Sequence, residues 1–248
     1  MGTPKKEEAK EEEFNLKIEE MNSQGLHLGH RISKLHPRMA RFIIGIRNTV
    51  HIFDLKKTKS ALKEALKFIA DLFEKGGEML LVGTKPPLRN LVEKTARDCG
   101  IPFVTERWLG GTFTNFKVIS KRARYFQQLE NQKAQGEFEK FSKKEKIRKE
   151  RELAEMRKKF EGIKNLEKIP EAVFICDLQK DKLCLKEAKE KGVKVIAICD
   201  TNVDPSLVDY PIPANDDSLN SVKYILEKVA QIIKELKAKS LTNKKGQK

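Results

Sequence analysis

The chain has 248 residues, room for one large domain or one domain with an appendage, and enough to bury a sizeable core. Hydrophobic residues make up 39% and charged residues 35%, and no apolar run nears the roughly 18 residues of a membrane span, so no membrane partner is expected. The net charge of +15 is gathered in residues 14–116, 117–168 and 234–248, while 1–13 and 169–233 are slightly acidic; this favours a polyanionic partner over a small-molecule substrate.

Residues 1–13, MGTPKKEEAKEEE, lack an apolar signal core and are too acidic for a transit peptide. Lys6 stands where a myristoylation start needs Ser or Thr. This stretch is expected to be a disordered head. The four cysteines, Cys99, Cys176, Cys184 and Cys199, form no C-x-x-C pair and fit a reducing, cytoplasmic compartment.

Residues 25–30, GLHLGH, read as a loop bounded by glycines. In the following RISKLHPRMARFIIGIR, Arg31, Lys34, Arg38, Arg41 and Arg47 alternate with Leu35, Met39, Phe42 and Ile44. That interleaving suits a nucleic-acid backbone, against the plainer reading of a solvated loop. Val50–Leu55 is then the first of five short runs rich in β-branched and aromatic residues. The others are Met79–Gly83, Pro102–Val104, Ala172–Asp177 and Val193–Asp200. Their near-continuous apolar character predicts burial on both faces: an α/β fold with a parallel five-stranded sheet and helices on both sides, doubly wound.

Between the runs lie helical patterns. Leu62, Leu66, Ile69 and Phe73 mark one helix, stopped by Gly76-Gly77. Leu88–Cys99 is a second, opened by Pro86-Pro87 and closed by Gly100, and Leu183–Lys191 a third, closed by Gly192. Val222, Ile225, Val229, Ile232 and Leu236 mark a long final helix, for which Asp216, Asp217 and Ser218 are good starters. Gly83-Thr84-Lys85 follows a strand and could hold a phosphate. With no P-loop or dinucleotide signature anywhere, a plain turn is the favoured reading.

Residues 107–116, RWLGGTFTNF, carry the only tryptophan. Trp108 beside Arg107 could stack on a base; a hinge made of Trp108, Gly110, Gly111 and Phe116 is favoured, because a glycine pair followed by phenylalanines suits a tight reversal under packing. From 114 to 168 no strand-like run occurs. Ile119, Ala123, Phe126 and Leu129 form one stripe, and Leu153, Met156, Phe160 and Ile163 form another, with a turn at 131–136. This predicts an antiparallel coiled-coil hairpin inserted between the third and fourth runs. Its basic excess exceeds what intrahelical pairing needs, so Lys117, Lys121, Arg122, Arg124, Lys143 and Lys144 join Arg107 as candidate RNA contacts. The expected organisation is a single α/β domain over 14–113 and 169–238, the hairpin over 114–168, and a basic disordered tail over 239–248.

Catalytic signatures are weak. His30, Asp200 in DTNVDP and Asp216 in NDDS could converge at the carboxyl edge of the sheet and hold a divalent ion, zinc or magnesium. Caps on turns and helix ends are the commoner use of such aspartates. A metal-dependent hydrolase built on these three residues is the alternative function.

The order GLHLGHRISKLHPRM, FIIGIRNTVHIFDLKKT, MLLVGTK, RWLGGTFTNF, EGIKNL, IPEAVFICD, EAKEKGVKVIAICDTNVDP and IPANDDSLNS resembles the bacterial small-subunit ribosomal protein S-two family, from about residue 14 to about residue 230. The resemblance implies a parallel α/β sandwich with a projecting helical hairpin and no enzymatic activity or required cofactor. It implies a cytoplasmic ribosomal constituent that binds small-subunit RNA, contacts neighbouring ribosomal proteins and helps dock the large RNA-binding protein S-one. Ala214 stands where the family commonly has Gly, and Glu161 where it commonly has the first of a Gly pair.

Overall fold

The computed structural model describes residues 14–245, with side chains as far as Ala238. The expected head, 1–13, and residues 246–248 lie outside the described residues. The described residues open with helix α1 (Ile18–Ser23) and strands β1 (Leu28–Arg31), β2 (Ile43–Arg47) and β3 (Val50–Phe53). Helix α2 (Leu55–Glu74), β4 (Met79–Val82), α3 (Arg89–Cys99) and β5 (Phe103–Val104) follow. Helices α4 (Phe116–Ala134) and α5 (Lys143–Phe160) precede β6 (Ala172–Ile175), α6 (Lys182–Glu190), β7 (Lys194–Cys199), β8 (Tyr210–Pro213) and α7 (Leu219–Lys245).

The main sheet is parallel throughout, in the order β5-β4-β6-β7-β8. Every residue of β4 and β6 is buried, which is why both read as unbroken apolar runs. Their side chains alternate between two cores. Leu81 and Phe174 join Leu62, Leu66 and Ile69 of α2, Val92 of α3 and Val222 and Ile225 of α7. Leu80, Val82, Val173 and Ile175 join Cys184 and Ala188 of α6 on the opposite face.

The sheet has the five strands expected, but with one different member. Val50–Phe53 is a strand, yet it belongs to a separate three-stranded antiparallel sheet, β1-β3-β2. The cause is local. Asn48 and Thr49 both take positive φ, 48° and 63°, and make a two-residue hairpin in which Arg47 pairs with Val50. Such a turn forces antiparallel pairing, whereas a parallel neighbour needs a long crossover. The fifth strand of the main sheet is Tyr210–Pro213, at the edge beside β7.

Asp54 and Leu55, expected at the end of the first strand run, instead start α2: Asp54 caps it by accepting from Lys56 N at 3.0 Å. Pro86–Leu88 form a 3-10 turn before α3, and Gly100 closes that helix at φ 59°. The turn before α7 is different from expectation. Asn215 Oδ1, rather than Asp216 or Asp217, accepts from the amides of Asp217 at 2.8 Å and Ser218 at 3.0 Å. Helix α7 also continues through Lys245, past the expected start of the tail at 239. Ala, Leu and Lys are good helix formers, and lysines in a last turn complement the helix dipole.

Helices α4 and α5 run antiparallel. Ile119, Ala123, Phe126 and Leu129 pack with Leu153, Phe160 and Ile163, in one cluster continuous with the main core. Arg157 pairs with Glu130 at 2.7 Å and Lys133 with Glu150 at 3.4 Å across the two helices. Ser142 and Glu145 form a reciprocal capping box that starts α5. At the exit, Gly162 lies against β5 so closely that a Cβ would run into the Phe103 carbonyl oxygen.

Candidate nucleic-acid interface

All twelve candidate RNA-contacting residues are exposed. Arg31, Lys34, Arg38, Arg41 and Arg47 lie on β1, on β2 and on the segment joining them. Lys117, Lys121, Arg122 and Arg124 lie on α4, and Lys143 and Lys144 begin α5. Arg38 is engaged, donating to Asp204 Oδ2 at 2.6 Å and Ser206 Oγ at 2.5 Å. That tie joins the N-terminal arm to the DTNVDP loop. The Arg41 guanidinium lies 4.7 Å from the centre of the Phe42 ring. Among the described residues no acid lies within 4 Å of the charged groups of the other eleven. Lys143 and Lys144 sit at the positive end of a helix dipole, where a cation is disfavoured by about 0.3–1 kcal/mol and an anion would be welcome.

Trp108 is buried and meets Phe113 edge-on, with ring centres 4.9 Å apart, so it is not presented as a stacking platform. The residue that fixes its loop is Glu187 of α6. Glu187 Oε1 accepts from Gly111 N at 2.7 Å and from the Trp108 indole at 3.3 Å. Glu187 Oε2 accepts from Phe113 N at 2.9 Å and Thr114 N at 3.3 Å. Burial pushes the Glu187 carboxyl up, but the three backbone amides and the indole outweigh it and hold the group below the usual glutamate range. Sequence reading missed Glu187 because it hides in EAKEKG, a run like any solvated helix face. Gly111, at φ 92°, supplies the left-handed turn the loop needs.

The carboxyl edge of the main sheet gathers His30, Asp200 and Asp216, together with a cation not foreseen there. His30 Nδ1 lies 3.0 Å from Asp200 Oδ1, and Asp200 Oδ2 accepts from Asp216 N at 3.4 Å. The Asp216 carboxylate meets Lys85 Nζ at 3.2 Å. Lys85 Nζ also meets Asp177 at 3.1 Å and Asp217 at 2.5 Å. Burial, with Asp177 and Asp200 nearby, raises Asp216 to about 7 against the pull of Lys85. His30 is raised chiefly by its bond to Asp200. The Gly83-Thr84-Lys85 turn is likewise spoken for: Thr84 Oγ1 donates to Asp181 at 2.8 Å. Among the described residues, no three His, Cys, Asp or Glu side chains converge as a metal would require.

The family described as Ribosomal protein S2 matches residues 21–235. The chain is 39% identical over 230 residues to the small ribosomal subunit protein uS2 of Endomicrobium trichonymphae, covering 93% of each chain. It is 43% identical over 206 residues to the protein of that name from Roseiflexus sp. (strain RS-1), covering 83% of this chain and 79% of the relative. With the Dictyoglomus thermophilum protein it shares 40% over 229 residues, 92% of each.

Proposed function

The chain belongs to the ribosomal protein S2 family, and from that membership we propose that the eleven candidate residues without an acid partner among the described residues hold ribosomal RNA by its phosphates. It is a structural constituent of the small subunit of the bacterial ribosome, in the cytoplasm, and associates there with ribosomal RNA and other ribosomal proteins. It is not an enzyme and needs no enzymatic cofactor, and the hydrolase alternative falls with the family assignment. Among the described residues no helix is long and apolar enough to cross a membrane.

The single observation that carries the residue-level reading is the run of exposed cations on β1, β2, α4 and the start of α5 that have no acid partner among the described residues. Phosphate contact positions a protein on RNA without reading its bases, and the burial of Trp108 fits that mode. The hairpin over 114–168 serves as a lever, with Trp108, Gly110, Gly111 and Phe116 as its hinge at the α/β domain. The protein S-one is a further partner of this surface. A structural zinc or magnesium ion fits only in part: His30 and Asp200 are adjacent, while Asp216 is engaged by Lys85, whose ammonium already supplies counter-charge.

The test is binding of the full chain to small-subunit RNA over a salt series. Replacing Arg41, Arg47, Lys121 and Arg122 together by Ala leaves the fold intact, weakens binding, and flattens the log–log salt slope by about 0.7–0.9 for each phosphate no longer neutralised. Unchanged affinity and slope reject these residues as phosphate ligands. Failure of the intact chain to co-sediment with small subunits rejects the function itself.

A further inference from the structure

An open cleft of about 690 Å³ lies at the carboxyl ends of β4, β5 and β6, apart from the twelve surface residues except for Arg107. Its place is set by topology. From β4 the chain crosses to β5 on one side, then returns to build β6, β7 and β8 on the other. The strand order therefore reverses between β4 and β6, and open α/β sheets leave a crevice at such a point.

The walls are basic. Arg89 is fixed in place, donating to Glu106 Oε2 at 2.7 Å and to the Thr84 carbonyl at 3.4 Å. Arg107, Lys159 and Lys180 add three more cations, and among the described residues none of these three has an acid within 4 Å of its charged group. The two acids of the lining are committed elsewhere: Glu106 to Arg89, and Asp181 to Thr84. Pro86, Leu109 and Leu183 supply an apolar wall, and Leu183 is about half exposed although it begins a helix beside the main core. Three unpaired cations beside an apolar wall, in a volume suited to a small ligand, match a group that is anionic at one end and flat and apolar at the other.

We propose that this cleft binds one nucleoside phosphate, its phosphate on Arg107, Lys159 and Lys180 and its base against Pro86, Leu109 and Leu183. The ligand chemistry is shared by two sources: a nucleotide splayed out of a single RNA strand, or a free mononucleotide. The inference rests on the RNA-binding reading only in sharing Arg107.

The only tryptophan of the chain, Trp108, lines the cleft and serves as reporter. The full-length protein is titrated with adenosine monophosphate, adenosine, inorganic phosphate and single-stranded hexaadenylate, following Trp108 fluorescence and, in parallel, equilibrium dialysis. Adenosine monophosphate is expected to saturate, with adenosine and inorganic phosphate each at least tenfold weaker. Arg107→Ala with Lys180→Ala, both at exposed positions, should weaken binding at least tenfold with unchanged circular dichroism. Hexaadenylate at least tenfold tighter than the mononucleotide identifies an RNA strand as the source; equal or weaker binding identifies the free nucleotide. The proposal is overturned by no saturable binding in either assay, by inorganic phosphate matching the nucleotide, or by a double variant that binds as the parent does. Co-sedimentation with small subunits in the same preparations reports separately on the ribosomal reading, so either can fail alone.

Discussion

The two sheets of this protein handle charge in opposite ways. The parallel sheet is buried on both faces, and two charged groups packed against it are matched internally: Lys85 among Asp177, Asp216 and Asp217, and Glu187 among four N–H donors. The small antiparallel sheet carries Arg31 and Arg47, with Arg41 on the segment joining β1 to β2; among the described residues none of the three has an acid within 4 Å, and Ile44 and Ile46 face solvent at 71% and 56% exposure. A buried charge without a partner costs several kcal/mol, so the first region had to be closed within the chain. An exposed one costs little, so the second could be left for another molecule to complete.

The sharpest way to break this contrast is Lys85→Met. Three carboxylates then face one another without their cation, and stability should fall by about 3–5 kcal/mol in urea titration at neutral pH. Asp216, already raised to about 7 with Lys85 present, would be raised further. A carboxyl whose folded pKa lies above its unfolded value is penalised at neutral pH and relieved as pH falls through the folded value. The deficit of the variant should therefore shrink as pH falls from the alkaline side toward 7; a deficit independent of pH there, or none, would mean that the edge is not charge-compensated.

Glu187→Ala comes next, with a loss of about 2–3 kcal/mol because three backbone amides lose an ionised acceptor. Here the folded pKa is depressed, so the contribution of Glu187 is fully present above the unfolded glutamate range and is lost as pH falls through the folded value. Parent and variant should converge in acid; curves that stay parallel down to that range would remove Glu187 from its role. The smallest effect belongs to the small sheet. Thr49 is β-branched at φ 63°, and Thr49→Gly should raise stability by about 1 kcal/mol as relief of backbone strain exceeds the added chain entropy. A loss measured by thermal unfolding would show that the Thr49 hydroxyl, which donates to the Asn48 carbonyl at 2.6 Å, matters more than the strain.

How much of this was readable in the sequence depended on how local the cause was. The strands β4, β6 and β7 were legible because burial on both faces writes an unbroken apolar run. The edge strand β8 was not, because Pro211 and Pro213 in YPIP break the usual strand signal while an edge tolerates them. VHIF was legible as a strand but not as to its partner, since the deciding turn, Asn48-Thr49, lacks the glycine that normally announces it. The stripes of α4 and α5 fell where their periodicity put them. His30 was correctly placed beside Asp200, because both flank the carboxyl edge. The part of Lys85 was hidden: its partners Asp177, Asp216 and Asp217 lie far along the chain, and only the fold brings them together.

The placement of the antiparallel hairpin bears on how quickly the chain can find its fold. Met79 must pair with Ala172, a distant partner, and closing so long a loop slows the search. Helices α4 and α5 form from neighbouring residues and return the chain toward its starting point, so the stretch left to close behaves as a much shorter one. Each halving of effective loop length saves about 0.6 kcal/mol of closure entropy. The helix pair inserted between β5 and β6 thus acts, while the sheet assembles, as a fold in the string that draws β4 and β6 together.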